Sequence, residues 1–173
     1  MGKPKITDKR WSIDLEKRIQ EEHYGESYNS RYSFNPDSKK EIFVIDTPPP
    51  YPSGTWHIGA VAQYSMIDVI ARSQRLLGKE VYFPWGVDRN GINIEFTVEK
   101  KTGKKMRTFD RGNFIDICRD TIEEYTQAMR ETACRVGLSC SFENEYLTDS
   151  PEYRSVSQSI FVDLFKQGNI VED

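Results

Sequence analysis

Glu41-Ile42-Phe43-Val44-Ile45-Asp46-Thr47-Pro48-Pro49-Pro50-Tyr51-Pro52-Ser53-Gly54-Thr55-Trp56-His57-Ile58-Gly59-Ala60 decides how this chain folds. Glu41 to Asp46 is a compact apolar run rich in β-branched residues, the pattern of a fully buried strand in a parallel sheet. The prolines that follow lack a backbone N–H and cannot continue a strand ladder, so Thr47 to Trp56 is a stiff loop. From His57 the period changes. Ile58, Ala62, Met66, Val69, Ser73 and Leu76 recur every three or four residues and predict a helix face, with Gly78 as its stop. Glu80 to Pro84 then reads as a second strand. Strand, loop, helix and strand make a βαβ unit, so the fold class is α/β with parallel strands and flanking helices.

Trp85-Gly86-Val87-Asp88-Arg89-Asn90-Gly91 reads as a turn-rich loop after that second strand. A long helix is predicted from about Asn113 to Val136, with a seam of Ile115, Cys118, Ile122, Tyr125, Met129, Ala133 and Val136 and with Gly137 as its stop. Glu143 to Leu147 reads as a short strand. Asp149-Ser150-Pro151 is a cap followed by a proline at the first helical position. The helix it opens is expected to carry Val156, Ile160 and Leu164 inward and to end at Gln167-Gly168. Upstream, Trp11, Leu15 and Ile19 predict a short amphipathic helix from about Ile13 to Glu22.

Composition narrows the functional classes. The chain has 173 residues, 37% hydrophobic and 29% charged, which is about one domain of ordinary globular composition. Its 24 Lys and Arg stand against 27 Asp and Glu, net −3, which argues against a protein coated in basic charge for polyanions. No apolar run approaches the ~20 residues of a membrane span, and Met1 to Ile6 has no secretory h-region. Cys118, Cys134 and Cys140 are an odd set without a C-x-x-C pair, read as reduced structural thiols of a cytoplasmic protein rather than a zinc site or disulfide framework.

In open α/β sheets ligands bind beyond the carboxyl ends of the strands. Thr47 to Trp56 and Trp85 to Gly91 both leave such ends. The helix that opens at His57 is expected to offer free N–H groups and a positive dipole end to a phosphate. Gly54 allows close backbone approach, and Gly59 removes a side chain on the first turn.

Ser53-Gly54-Thr55-Trp56-His57-Ile58-Gly59-Ala60 resembles the HIGH motif of class I aminoacyl-tRNA synthetases. Ile45 to Pro50 and Phe83 to Glu95 are similar to valyl-tRNA synthetases, most closely the archaeal type. Tyr51-Pro52-Ser53-Gly54 also resembles leucyl enzymes, whose second loop usually lacks an aspartate at position 88. Isoleucyl enzymes usually have histidine at position 90, where this chain has Asn90.

The resemblance implies a Rossmann-like catalytic domain and a valine–tRNA ligase activity. It implies ATP binding by Ser53, Gly54, His57, Gly59 and Ala60, with His57 as the catalytic residue at the phosphates. Pro48 and Pro49 would wall the valine pocket, and Asp88 and Asn90 would complete the amino-acid site, Asp88 against the ammonium. Mg²⁺ would arrive with ATP, with no metal held by the protein alone. tRNA(Val) would be the partner, no membrane would be involved, and the intact enzyme is expected to be a monomer. Ala60 departs from the family's second histidine, and Gln63 is one turn further along.

The family's lysine-rich KMSKS loop is not found, and Lys104-Lys105-Met106-Arg107 lies too early to be it. The basic run from Lys100 to Arg107 is read as a solvated loop. The expectation is an amino-terminal fragment, inactive alone. Residues 1–38 would be a helical extension and 39–173 the first half of the catalytic domain, truncated before the editing insertion. The alternatives are a non-enzymatic synthetase-like module that binds nucleotide or a partner, an isoleucyl enzyme, or a small nucleotidyltransferase.

Overall fold

The computed structural model describes residues 10–23, 30–52, 54 and 56–172. Helix α1 spans Ile13–His23 and a 3₁₀ turn spans Ser30–Tyr32. Strand β1 (Ile42–Val44), helix α2 (Ile58–Leu76) and strand β2 (Glu80–Tyr82) form the βαβ unit. They are followed by strand β3 (Pro84–Val87), helix α3 (Asn93–Thr102), helix α4 (Arg111–Val136), strand β4 (Ser141–Leu147) and helix α5 (Pro151–Lys166). No described helix is long and apolar enough to cross a membrane.

Both strand pairs are parallel. β1 pairs with β2, Ile42 opposite Glu80 and Val44 opposite Tyr82. β3 pairs with β4, Pro84 opposite Ser141 and Gly86 opposite Tyr146. The run from Glu80 to Val87 is therefore one extended segment that changes partner at Phe83. Tyr82 O still accepts from Ile45 N at 2.9 Å, while Phe83 O already accepts from Ser141 N at 2.7 Å. Beyond Ile45 the first strand leaves the ladder, and the sheet forks there.

The core lies under this fork. Ile45, Val81, Phe83, Trp85 and Val87 from the sheet pack with Tyr64 and Ala71 of α2, Met129 and Ala133 of α4, and Leu138 and Phe142. Helix ends obey local chemistry. Asp110 caps α4 by accepting from Gly112 N at 3.0 Å and Asn113 N at 3.2 Å. Gly137 closes α4 at φ 76°, the left-handed conformation that glycine adopts freely. Ser150 caps α5 by accepting from Tyr153 N at 3.2 Å, with Pro151 just inside.

The structure corrects several readings. The first strand is not fully buried: Ile42 and Val44 are exposed, because β1 has a neighbour on one side only among the described residues. The second strand runs on through Trp85 to Val87, so the loop after it begins at Asp88. The α2 stripe of Ile58, Met66, Val69 and Leu76 faces outward, and Tyr64, Asp68 and Ala71 face the core. A buried aspartate hid that face. Asp68 is tolerated there because it accepts from Ser139 N at 2.8 Å and from the Ser139 hydroxyl, and pairs with Arg72 at 2.7 Å. The α4 seam is Phe114, Thr121, Ile122, Thr126, Met129 and Ala133, while Ile115 and Val136 are exposed. Val156, Ile160 and Leu164 of α5 are exposed rather than inward, since no described element covers that helix. Helix α3 was not anticipated at all.

Candidate functional site

The mouth of the fork is a cavity of about 350 Å³. Asp46, Thr47, Pro49 and Pro50 line one side, with Trp85, Gly86 and Tyr146 among the residues opposite. Three prolines without N–H groups carry the chain away from β3, so no ladder closes the gap. The Tyr64 hydroxyl of α2 anchors this loop by donating to Pro48 O at 2.9 Å. Burial pushes the Tyr64 phenol up to about 12. Trp56, just before the helix, stacks on Tyr64 with centroids 4.9 Å apart and tilts on Trp85 at 5.6 Å. Trp85 belongs to the core and to the cavity wall at once, and its buried indole N–H has no hydrogen-bond partner among the described residues.

Gly86 makes room for one wall. A Cβ on Gly86 would stand 2.2 Å from Cζ of Tyr146. Tyr146 lies over that bare strand position and stacks on Tyr153, centroids 6.3 Å apart and planes within 8°.

His57 is the N-cap of α2. Its Nδ1 accepts from Gly59 N at 3.1 Å and Ala60 N at 3.4 Å. A neutral imidazole that accepts at Nδ1 carries its proton on Nε2, so the exposed ring presents a donor. The ring thus takes up two of the N–H groups expected to be free for a phosphate. The Cβ missing from Gly59 would meet the His57 ring itself, at 2.9 Å from Cε1, so this glycine first makes space for the cap. Gly54, at φ 152°, has open space around it. Ser53 lies outside the described residues.

The second loop is stitched to the first. Asp88 N donates to Pro50 O at 2.9 Å. The Asp88 carboxylate beside the Tyr51 hydroxyl holds that phenol above its ordinary range. Asp88 Oδ1 accepts from Asn90 N at 3.0 Å and the Thr148 hydroxyl at 3.1 Å. Arg89 bridges Glu123 at 2.8 Å and Asp149 at 3.1 Å, tying the loop to α4 and to the start of α5.

The predicted residues are brought together unevenly. Pro49 lines the cavity; Pro48 offers its carbonyl to Tyr64 instead. Asp88 and Asn90 line an adjoining recess with Tyr51, Pro52 and Gly91. His57, Gly59 and Ala60 sit at the start of α2 and line neither. Pro50, Tyr64, Tyr146 and Thr148 were missed, and only Pro50 carried a signal, as part of the proline run. The basic run is exposed, as expected of a solvated segment, but it is not all loop: Lys100 to Thr102 close α3 and Met106–Thr108 form a 3₁₀ turn. Lys101 pairs with Glu124 at 2.5 Å, Lys105 with Glu99 at 2.9 Å, and Lys104 lies over the Phe109 ring.

The family model for tRNA synthetases class I (I, L, M and V) matches residues 20–173, and the chain belongs to that family. It is 43% identical over 145 residues to the valine–tRNA ligase of Thermoplasma volcanium, covering 84% of this chain and 18% of that protein. It is 40% identical over 175 residues to the valine–tRNA ligase of Aeropyrum pernix, covering 98% and 21%. To the valine–tRNA ligase of Rickettsia akari it is 41% identical over 140 residues, covering 80% and 17%. The chain thus spans about a fifth of the length of these curated relatives. Among solved structures, an Agrobacterium radiobacter LeuRS in a ternary complex with tRNA and LeuAMS superposes with a TM-score of 0.64 at 29% identity, over 90% of this chain and 18% of that one. The α/β architecture is accordingly the Rossmann-like class I catalytic fold.

Proposed function

We propose that this chain carries the ATP and amino-acid site of a valine–tRNA ligase. Residues 39–173 are the first half of the catalytic domain and 1–38 an extension ahead of it, which includes helix α1 over Ile13–His23. The observation that carries this reading is the join between the loops: Asp88 N to Pro50 O at 2.9 Å, beside a cavity of about 350 Å³ walled by Pro49 and Pro50. That volume lies within the ~300–1,000 Å³ of small-molecule sites. The unpartnered Trp85 N–H at its wall is a donor that a bound polar group would satisfy.

On this reading a valine carboxylate oxygen attacks the α-phosphorus of ATP, and pyrophosphate leaves with the bonding electrons. The adenylate then passes valine to the 3′ end of tRNA(Val). The His57 Nε2–H donates to the phosphates as charge builds on them, with Ala60 beside it in place of a second histidine. Ser53 and Gly54 belong to the ATP-binding loop, Gly54 leaves space for the nucleotide, and Gly59 does so by letting the His57 ring sit back on the helix. Asp88 holds the ammonium by a charge-assisted bond, and Asn90 shapes that loop. The acceleration comes from positioning and electrostatics, with no covalent enzyme intermediate. Mg²⁺ enters with ATP. The intact ligase works in the cytoplasm as a monomer.

The test is ATP–pyrophosphate exchange in the intact ligase. His57→Ala lowers valine-dependent exchange by ~10²–10³-fold, as for a lost transition-state donor. His57→Asn keeps a side-chain cap for α2 but not the ring donor, so it restores the melting temperature without restoring exchange. Exchange unchanged in both variants refutes the assignment, and exchange driven by isoleucine rather than valine points to the isoleucyl alternative.

A further inference from the structure

We infer that Thr148 is the positioning residue of the ammonium site, an inference that rests on the function proposed above. Thr148 is buried and directly follows β4, and its N–H donates to Val87 O at 3.2 Å. Its hydroxyl is saturated. It donates to Asp88 Oδ1 at 3.1 Å, and accepts from Arg89 N at 2.9 Å and from Asn90 Nδ2 at 3.0 Å. The Asn90 amide also donates to Thr148 O at 3.0 Å. One side chain therefore touches three consecutive residues of the second loop.

The bonds to the carboxylate are one-sided. Thr148 and Asn90 N both act on Asp88 Oδ1, and Oδ2 accepts neither of these bonds. Held through Oδ1, with the Tyr51 hydroxyl also beside it, the carboxylate cannot turn freely and keeps a fixed direction toward a ligand. A cation bound there meets a preset acceptor instead of having to order one. Asn90 acts in the same way: its amide donor is spent on Thr148, so it braces the loop rather than reaching for the substrate.

The test separates the hydroxyl from its methyl group. Thr148→Ser keeps the hydroxyl, Thr148→Val keeps the shape, and Thr148→Ala keeps neither. In the intact ligase, with exchange as the assay, Val and Ala raise the KM for valine about tenfold and leave the KM for ATP within about twofold. Ser stays within about twofold of the parent on both. Where Val impairs folding, Ala against Ser makes the same comparison. The Val variant also weakens competitive inhibition by valinol, which has the ammonium, but not by isovalerate, which lacks it. A KM that follows size instead, with Val like the parent and Ser impaired, overturns the inference, and so does a parallel rise in the KM for ATP. Asp88→Asn distinguishes the two levels. If it leaves the valine KM unchanged, the ammonium site itself is wrong; if it is damaging while Thr148→Val is silent, only the role of Thr148 falls.

Discussion

Replacing Gly86 with alanine places a methyl group 2.2 Å from Cζ of Tyr146 and 2.5 Å from its Cε1 and hydroxyl oxygen. Carbon atoms in contact sit about 3.5–4.0 Å apart, so the ring must retreat by more than about 1 Å. Retreat breaks the stack on Tyr153, worth about 0.5–1.5 kcal/mol, and adds an overpacking cost of about 1–3 kcal/mol. We expect a loss near 2 kcal/mol from Gly86→Ala. In a Tyr146→Ala background the three atoms that crowd this methyl are gone, and alanine restricts the unfolded chain more than glycine does. There the substitution is neutral or stabilising by up to about 1 kcal/mol. Urea unfolding of the four proteins of this cycle, followed by the fluorescence of the buried Trp85, measures the coupling directly. A cost from Gly86→Ala that is the same with and without the Tyr146 ring refutes the contact.

Three further outcomes are expected. The Tyr64 phenol is raised by burial to about 12, above the ~10 of an unfolded chain, so the folded state holds this proton more tightly. Its contribution is fully present below pH ~10 and is lost as pH rises toward ~12, by about 2–3 kcal/mol; a pH series of unfolding curves in which Tyr64→Phe shows the same alkaline loss refutes this. Asp68→Ala strips Ser139 N of its acceptor and Arg72 of its buried partner, and costs about 3–5 kcal/mol in denaturant melts, so a loss below about 1 kcal/mol contradicts the network. Phe161 and Phe165 on α5 are 57% and 63% exposed, and replacing both with Gln reduces self-association of the 173-residue chain in sedimentation runs at rising concentration. A parent chain that stays monomeric throughout sinks that expectation.

The strand, the proline loop and the helix at His57 were legible because each is written in local chemistry: β-branched residues, missing N–H groups, a change of period. The stops at Gly137 and the cap at Ser150 were legible for the same reason. The inner face of α2 was not, because a satisfied aspartate and a tyrosine do not register as apolar periodicity. Helix α3 was missed because Ile94, Phe96 and Val98 alternate like a strand, and only Gly103 at φ 68° marks its end. An apolar stripe on α5 says that it prefers cover, not that this chain supplies it. Thr148 was invisible because its role depends on a parallel pairing between β3 and β4, segments distant in sequence. The motif residues were readable one by one; that Pro50 and Asp88 would be joined backbone to backbone was not.

The fork in the sheet has a consequence for how this site tolerates change. Its opening needs no residue removed from the core, since it is the unzipped end of a ladder. After Ile45 N to Tyr82 O the next donor would be residue 84, a proline, toward Ile45 O, and the inward amides of the first strand would then be those of Thr47 and of position 49, a second proline. Amides restored at 49 and 84 would let the two strands close on one another, and the protein would grow sturdier as it lost its entrance. Selection for heat resistance in the laboratory should therefore find Pro49 and Pro84 a tempting place to trade away activity.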